Sequence, residues 1–92
     1  MPVLLIAEVP DLSEPAYISM LEHLKPALEA APGFLFHAGG PSPDGGSRVV
    51  EVWESQQHID EFVQRKLAPV FQKLGVEIDP PELTETFSIE HG

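Results

Sequence analysis

Two carboxylates and one imidazole interrupt stretches of this chain that are otherwise apolar. Glu8 lies in Val3-Leu4-Leu5-Ile6-Ala7-Glu8-Val9, Glu51 in Val49-Val50-Glu51-Val52-Trp53, and His37 in Phe34-Leu35-Phe36-His37-Ala38. Two carboxylates held close together resist ionising at once, so one keeps its proton to higher pH and serves as a general acid or base near neutrality. Histidine does the same work from its ordinary pKa. A weak internal repeat lays Glu8-Val9 on Glu51-Val52, and Leu24, Pro26 and Ala31 on Leu67, Pro69 and Leu74. With the two Glu-bearing strands read as parallel neighbours at the centre of a sheet, the carboxylates fall side by side on one face. His37, Glu8 and Glu51 are therefore the candidate catalytic residues. The competing assignments are structural: a carboxylate solvated near a strand end or paired with Arg48 or a lysine, and a histidine hydrogen-bonded in place. As a ligand set the three match no short metal-binding spacing, and no metal is expected.

Aromatic side chains flank these groups. Trp53 and Phe36 are candidates to line a pocket for a flat aromatic ligand, and Tyr17 opens the apolar face of a helix with a hydroxyl that needs a partner if buried. Core or interface packing is the alternative for all three. There is no Cys nucleophile, phosphate loop, glycine-rich dinucleotide turn or zinc spacing, so no cofactor is expected.

These residues are positioned by a short chain. Ninety-two residues make one domain, spanning 1–92, which buries only roughly 60% of its unfolded surface. Without Cys, association is the common remaining way to bury more. Five Lys plus Arg against fifteen Asp plus Glu give a net charge of -10, which opposes nucleic acid and anionic membranes. No signal-peptide or membrane-helix pattern is present, and a cytoplasmic location is the expectation.

Val3 to Val9 reads as a buried strand. Asp11 or Ser13 caps a helix with Pro15 in its first turn, whose face carries Tyr17, Met20, Leu21, Leu24 and Leu28 before Pro32-Gly33 stops it. Phe34 to Ala38 is a second strand, the glycine-rich Gly39 to Ser47 a turn, and Arg48 to Glu54 a third strand. Ser55 caps a second helix with Ile59, Phe62, Val63, Leu67, Val70, Phe71 and Leu74 as its stripe and Gly75 as its stop. Leu83 to Glu90 alternates as a fourth strand. Pro26 and Pro69, inside the two helices, each remove an amide donor; a kink that lifts a helix off the sheet and leaves a cavity stands beside a harmless bend or a helix that restarts at the proline, and at Pro69 a kink is expected.

The order β-α-β-β-α-β is the ferredoxin-like arrangement, an α+β fold with a four-stranded antiparallel sheet and helices on one face. Its first and third strands are apolar on both faces, and one layer of helices covers only one of them. A second sheet, from a symmetry-related copy, is expected to cover the other.

The run Gly45-Gly46-Ser47-Arg48-Val49-Val50-Glu51-Val52-Trp53-Glu54-Ser55, followed by Ile59-Asp60-Glu61-Phe62, resembles small dimeric α/β-barrel proteins related to the antibiotic-biosynthesis-monooxygenase group. The resemblance implies a face-to-face homodimer. Activities in that superfamily include cofactor-free oxygenation of polycyclic phenols, polyketide cyclisation, lactone isomerisation and haem degradation. It therefore speaks for the fold more than for a reaction. Two functions stay open: a cofactor-independent monooxygenase or cyclase acting on an aromatic or polyketide-like molecule, and a non-catalytic module that binds a small ligand or a partner.

Overall fold

A computed structural model describes residues 2–75 and 80–89. Strand β1 (Val3–Val9) leads through Leu12 into helix α1 (Glu14–Ala30). Ser13, not Asp11, caps this helix: its hydroxyl accepts from the Ala16 amide, which would otherwise lack a partner. Strand β2 (Phe34–Pro41) runs three residues beyond the expected Ala38, so Gly39 and Gly40 belong to the sheet, and β3 (Ser47–Trp53) follows the turn.

The four strands lie in the order β2-β3-β1-β4, and every neighbouring pair is antiparallel. The reading of β1 and β3 as parallel neighbours is therefore corrected. Glu8 stands opposite Arg48, and Glu51 opposite Leu5. The pleat separates the two carboxylates further. Val3, Leu5, Ala7 and Val9 are buried against the helices, as are Ser47, Val49 and Trp53, so odd-numbered positions of both strands point inward. Glu8 is even and Glu51 odd. The repeat that aligned them crosses the pleat, and side chains one residue out of phase take opposite faces.

The second helical segment is where proline acts. Helix α2 (Gln56–Phe62), capped by Ser55, passes into a π-helical turn (Val63–Leu67) and then into α3 (Ala68–Leu74), with Pro69 in the first turn of α3. Pro69 has no amide to give the Arg65 carbonyl, and the chain widens just before it: the Ala68 amide reaches back to the Val63 carbonyl. Gly75 ends α3 with a left-handed φ of 68°. Pro26 does not have this effect, since α1 stays α-helical on both sides of it.

Strand β4 (Glu82–Glu85) is shorter than expected. The Thr86 amide still reaches the Pro2 carbonyl, but the Thr86 hydroxyl then bonds the Ser88 carbonyl and the chain leaves the sheet. Phe87, expected in a half-buried strand, is 97% exposed. Residue 90, the expected end of that strand, lies outside the described residues.

The core fills the space between the helices and the inner sheet face, centred on Trp53, the most buried side chain at 1% exposure. Phe34 meets Trp53 edge-on at 5.4 Å between centroids, and Phe62 lies tilted at 5.2 Å. On the outer face Leu4, Ile6, Val50 and Val52 are half-buried, and among the described residues no helix lies over them.

Candidate active site

Tyr17, the first inward residue of α1, points at β2. Its hydroxyl lies 2.6 Å from His37 Nε2. His37 sits opposite Glu51 across the β2–β3 ladder, and its Nδ1 is 2.8 Å from Glu51 Oε2. The second carboxylate oxygen, Oε1, accepts the indole N–H of Trp53 at 2.9 Å. These four side chains form one line of hydrogen bonds. Its proton order follows from chemistry: an ionised carboxylate only accepts, so Nδ1 carries the proton toward Glu51, and Nε2 is left to accept from Tyr17. His37 thus has no free nitrogen. The end of the line is the Tyr17 oxygen.

Two hollows meet at Tyr17. A cavity of about 110 Å³ lies between the inner sheet face and the helices, bordered by Leu5, Ala7, Val49, Ile59, Phe62, Val63, Leu67 and all four members of the line. The widened turn at Val63–Leu67 forms part of its roof. A larger, more open groove of about 510 Å³ lies on the other side of Tyr17, with Asp11, Ser13, Glu14, Ile18, Gly39, Gly40 and Pro41 around it. Among the described residues no Lys, Arg or His lines it.

The sequence candidates divide accordingly. The structure brings His37 and Glu51 together with Tyr17 and Trp53. It does not bring Glu8, which sits on the outer face. There Ser42 and Arg48 beside it hold its carboxyl below the usual carboxylate range, and Arg48 Nε donates to Oε1. Its Oε2 is covered and makes no hydrogen bond among the described residues. Glu8 is thus the ion-paired carboxylate of the competing assignment, and the expected pair of carboxylates does not form. Nor does Phe36 line the pocket: it pairs with Val52, takes the outer face and is 43% exposed. Phe34 takes the inward place beside Trp53, because a β-bulge between Phe34 and Phe36 resets the register. Among the described residues no three Asp, Glu or His side chains converge as a metal site needs.

Gly39 is a member of the site that sequence reading placed in a turn. A Cβ there would lie 2.1 Å from the Tyr17 hydroxyl. Its missing side chain is what lets Tyr17 reach His37. Nothing in a Gly-Gly-Pro run separates a strand glycine under a phenol from a turn glycine.

Burial pushes the Tyr17 phenol above its ordinary value of 10.0, and the Glu51 charge pushes it further the same way. Tyr17 is the sole tyrosine, so tyrosinate absorbance reports this group alone. In the folded protein that absorbance is expected to appear only above pH 10, and Glu51→Gln is expected to move it down. A proton held more tightly in the folded chain than in the unfolded one adds stability that is complete below the unfolded pKa. It is lost as pH rises through the folded pKa. Ionisation at the ordinary phenol value in the native protein would contradict this environment.

No protein-family model matches the chain, and no curated protein matches it in sequence. Solved structures do match in shape. SnoaB, a cofactor-independent oxygenase from Streptomyces nogalater, aligns with a TM-score of 0.69 at 15% identity, over 96% of this chain and 95% of its own. The chain has the fold of the SnoaB oxygenase. Rv0793 from Mycobacterium tuberculosis aligns at 0.65 and 21% identity, over 99% of this chain and 98% of its own. A mutant of MhuD with two manganese protoporphyrin IX molecules per active site aligns at 0.63 and 21%, over the whole of both chains. The fold-level resemblance read from the Val-Trp-Glu-Ser strand end is thereby borne out, as is the ferredoxin-like arrangement. At these identities the likeness speaks for the fold, and the chemistry rests on this chain's own residues. Among the described residues no helix is long and apolar enough to cross a membrane.

Proposed function

We propose that this protein is a cofactor-independent oxygenase acting on an aromatic or polyketide-like molecule that carries an acidic C–H beside a carbonyl. The observation that carries the reading is the line Tyr17–His37–Glu51–Trp53, which ends on a phenol oxygen between two hollows. It has the logic of a nucleophile–histidine–carboxylate triad, with a phenol as the terminal group.

The organic substrate lies in the groove, whose 510 Å³ is within the ordinary range of ligand pockets, about 300–1,000 Å³. Its methylene gives a proton to the Tyr17 oxygen as the Tyr17 hydrogen passes to His37 Nε2, and Glu51 steadies the resulting imidazolium. The enolate supplies the electrons: its carbon bonds dioxygen, the adduct takes the proton back as a hydroperoxide, and loss of water leaves a second carbonyl. One CH₂ and one O₂ become one C=O and one H₂O, the carbon oxidised and dioxygen reduced. A porphyrin does not suit these residues. Both His37 nitrogens are engaged, the inner cavity is too small, and the groove rim carries Asp11 and Glu14 where propionates would need cations.

The test is oxygen uptake with a panel of aryl ketones bearing an activated methylene. Uptake matched one-to-one by product supports the reading. Turnover that persists without oxygen would make the protein a cyclase using the same proton transfer. Saturable binding with no product in either atmosphere would make it a binding module.

The working unit of this reading is a homodimer formed through the outer face of the sheet. Apolar Leu4, Ile6, Val50 and Val52 lie there, with Phe36 exposed beside them and Glu8–Arg48 as the polar edge. Light scattering is expected to give twice the chain mass at micromolar concentration. Val50→Asp should shift it to the monomer, because an unpaired charge would be buried in the interface. A native monomer would remove the dimer from this account.

A further inference from the structure

We propose that the inner cavity is a binding site for dioxygen, separate from the groove that takes the organic substrate. What the oxygen is for rests on the oxygenase reading; where it sits does not.

Size is the first argument. A dry apolar cavity of about 150 Å³ accepts benzene or xenon. At about 110 Å³ this one is smaller than that benzene site, and a polycyclic molecule exceeds it.

Polarity is the second. A buried water needs two to four polar partners. The polar side chains on this wall spend their donors on one another: Tyr17 on His37, His37 on Glu51, and the Trp53 indole on Glu51. The rest of the wall is apolar, from residues such as Leu5, Met20, Val49 and Ile59. Water gains little there, whereas a small apolar diatomic needs no hydrogen bond and is favoured by a low-polarity space.

Position is the third. Tyr17 borders both hollows, so a molecule in the cavity waits on the far side of the residue that would take the substrate's proton. The widened Val63–Leu67 turn supplies part of the cavity wall, through Val63 and Leu67.

The experiment is methyl NMR of the native protein under oxygen pressure, since dissolved dioxygen is paramagnetic and speeds relaxation of protons near it. Ile18 is the control, being 45% exposed and outside the cavity. Relaxation at the Leu5, Val49 and Ile59 methyls is expected to rise several-fold more than at Ile18, and xenon should shift the same methyls. Ala7→Val fills the cavity without touching the hydrogen-bonded line and should abolish both effects. Val49→Ile does the same from the neighbouring strand if Ala7→Val fails to fold. In turnover, either variant should raise KM for oxygen several-fold and leave KM for the organic substrate unchanged.

Relaxation that simply follows surface exposure would overturn the proposal. So would p-cresol binding saturably at those methyls and displacing xenon, which would make the cavity a ring site. Cavity-specific relaxation in a protein that never consumes oxygen would uphold the gas site and remove the oxygenase reading.

Discussion

Tyr17→Phe is expected to lower turnover by about a hundred- to ten-thousand-fold, the usual worth of a positioned acid–base group. The ring stays, so the packing of α1 on the sheet stays, and only the oxygen that ends the hydrogen-bonded line is lost. The stability cost should be about 1–2 kcal/mol, for one hydrogen bond and the His37 Nε2 left without a partner. Trp53, the sole tryptophan and the most buried side chain, gives an internal check on folding, because its emission should not move. Kinetics and fluorescence on one sample separate the two effects. Tyr17→Phe with full activity would return the proton-transfer role to His37 itself, as the sequence first suggested.

Gly39→Ala should do comparable damage from a position that carries no functional group. Gly39 lies on the edge strand β2 with no left-handed φ, so the backbone accepts alanine. The obstacle is space: the new methyl would lie 2.1 Å from the Tyr17 hydroxyl and 2.3 Å from Cζ. Tyr17 must swing away from His37, at an overpacking cost of about 1–3 kcal/mol. Gly39→Ala combined with Tyr17→Leu should recover stability, since the far end of the ring is gone, and should stay inactive. Gly40, whose added Cβ would meet nothing within 4 Å, is the control: Gly40→Ala should leave stability and the Tyr17–His37 contact unchanged. A Gly39→Ala protein as active as the parent would show that Tyr17 does not need its observed place.

What could be read in advance followed the strength of the local signals. The apolar runs of β1 and β3, the Ser55 cap and the Gly75 stop are all local, and each stands where it was expected; of the two caps offered for α1, Ser13 is the one used. Pro69 marked a real discontinuity, while Pro26, the same residue in the matching place, marked none. A missing amide says that one bond is lost and not how the helix answers. His37 and Glu51 were legible as polar exceptions on an apolar sheet. Which face they take was not, because a repeat that joins an even position to an odd one turns over in the pleat. Glu8 was misplaced for that reason. Phe36 was misplaced because it stands next to inward-facing His37 and so takes the opposite face, while one bulge, silent in the sequence, turns Phe34 inward. Tyr17 was legible as a phenol in need of a partner; that it ends the line, with His37 behind it, depended on a contact between residues twenty apart in the chain.

On this reading His37 and Glu51 act through Tyr17 and not on the substrate directly. A double-mutant cycle on oxygen uptake tests it most directly, comparing the parent with Tyr17→Phe, Glu51→Gln and the two combined. Residues in one line fail together. The double variant is expected to be no slower than Tyr17→Phe alone, with Glu51→Gln costing nothing further once the phenol is gone. Losses that multiply, so that the double variant falls by the product of the two single effects, would mean that Glu51 works independently of Tyr17 and would contradict the account.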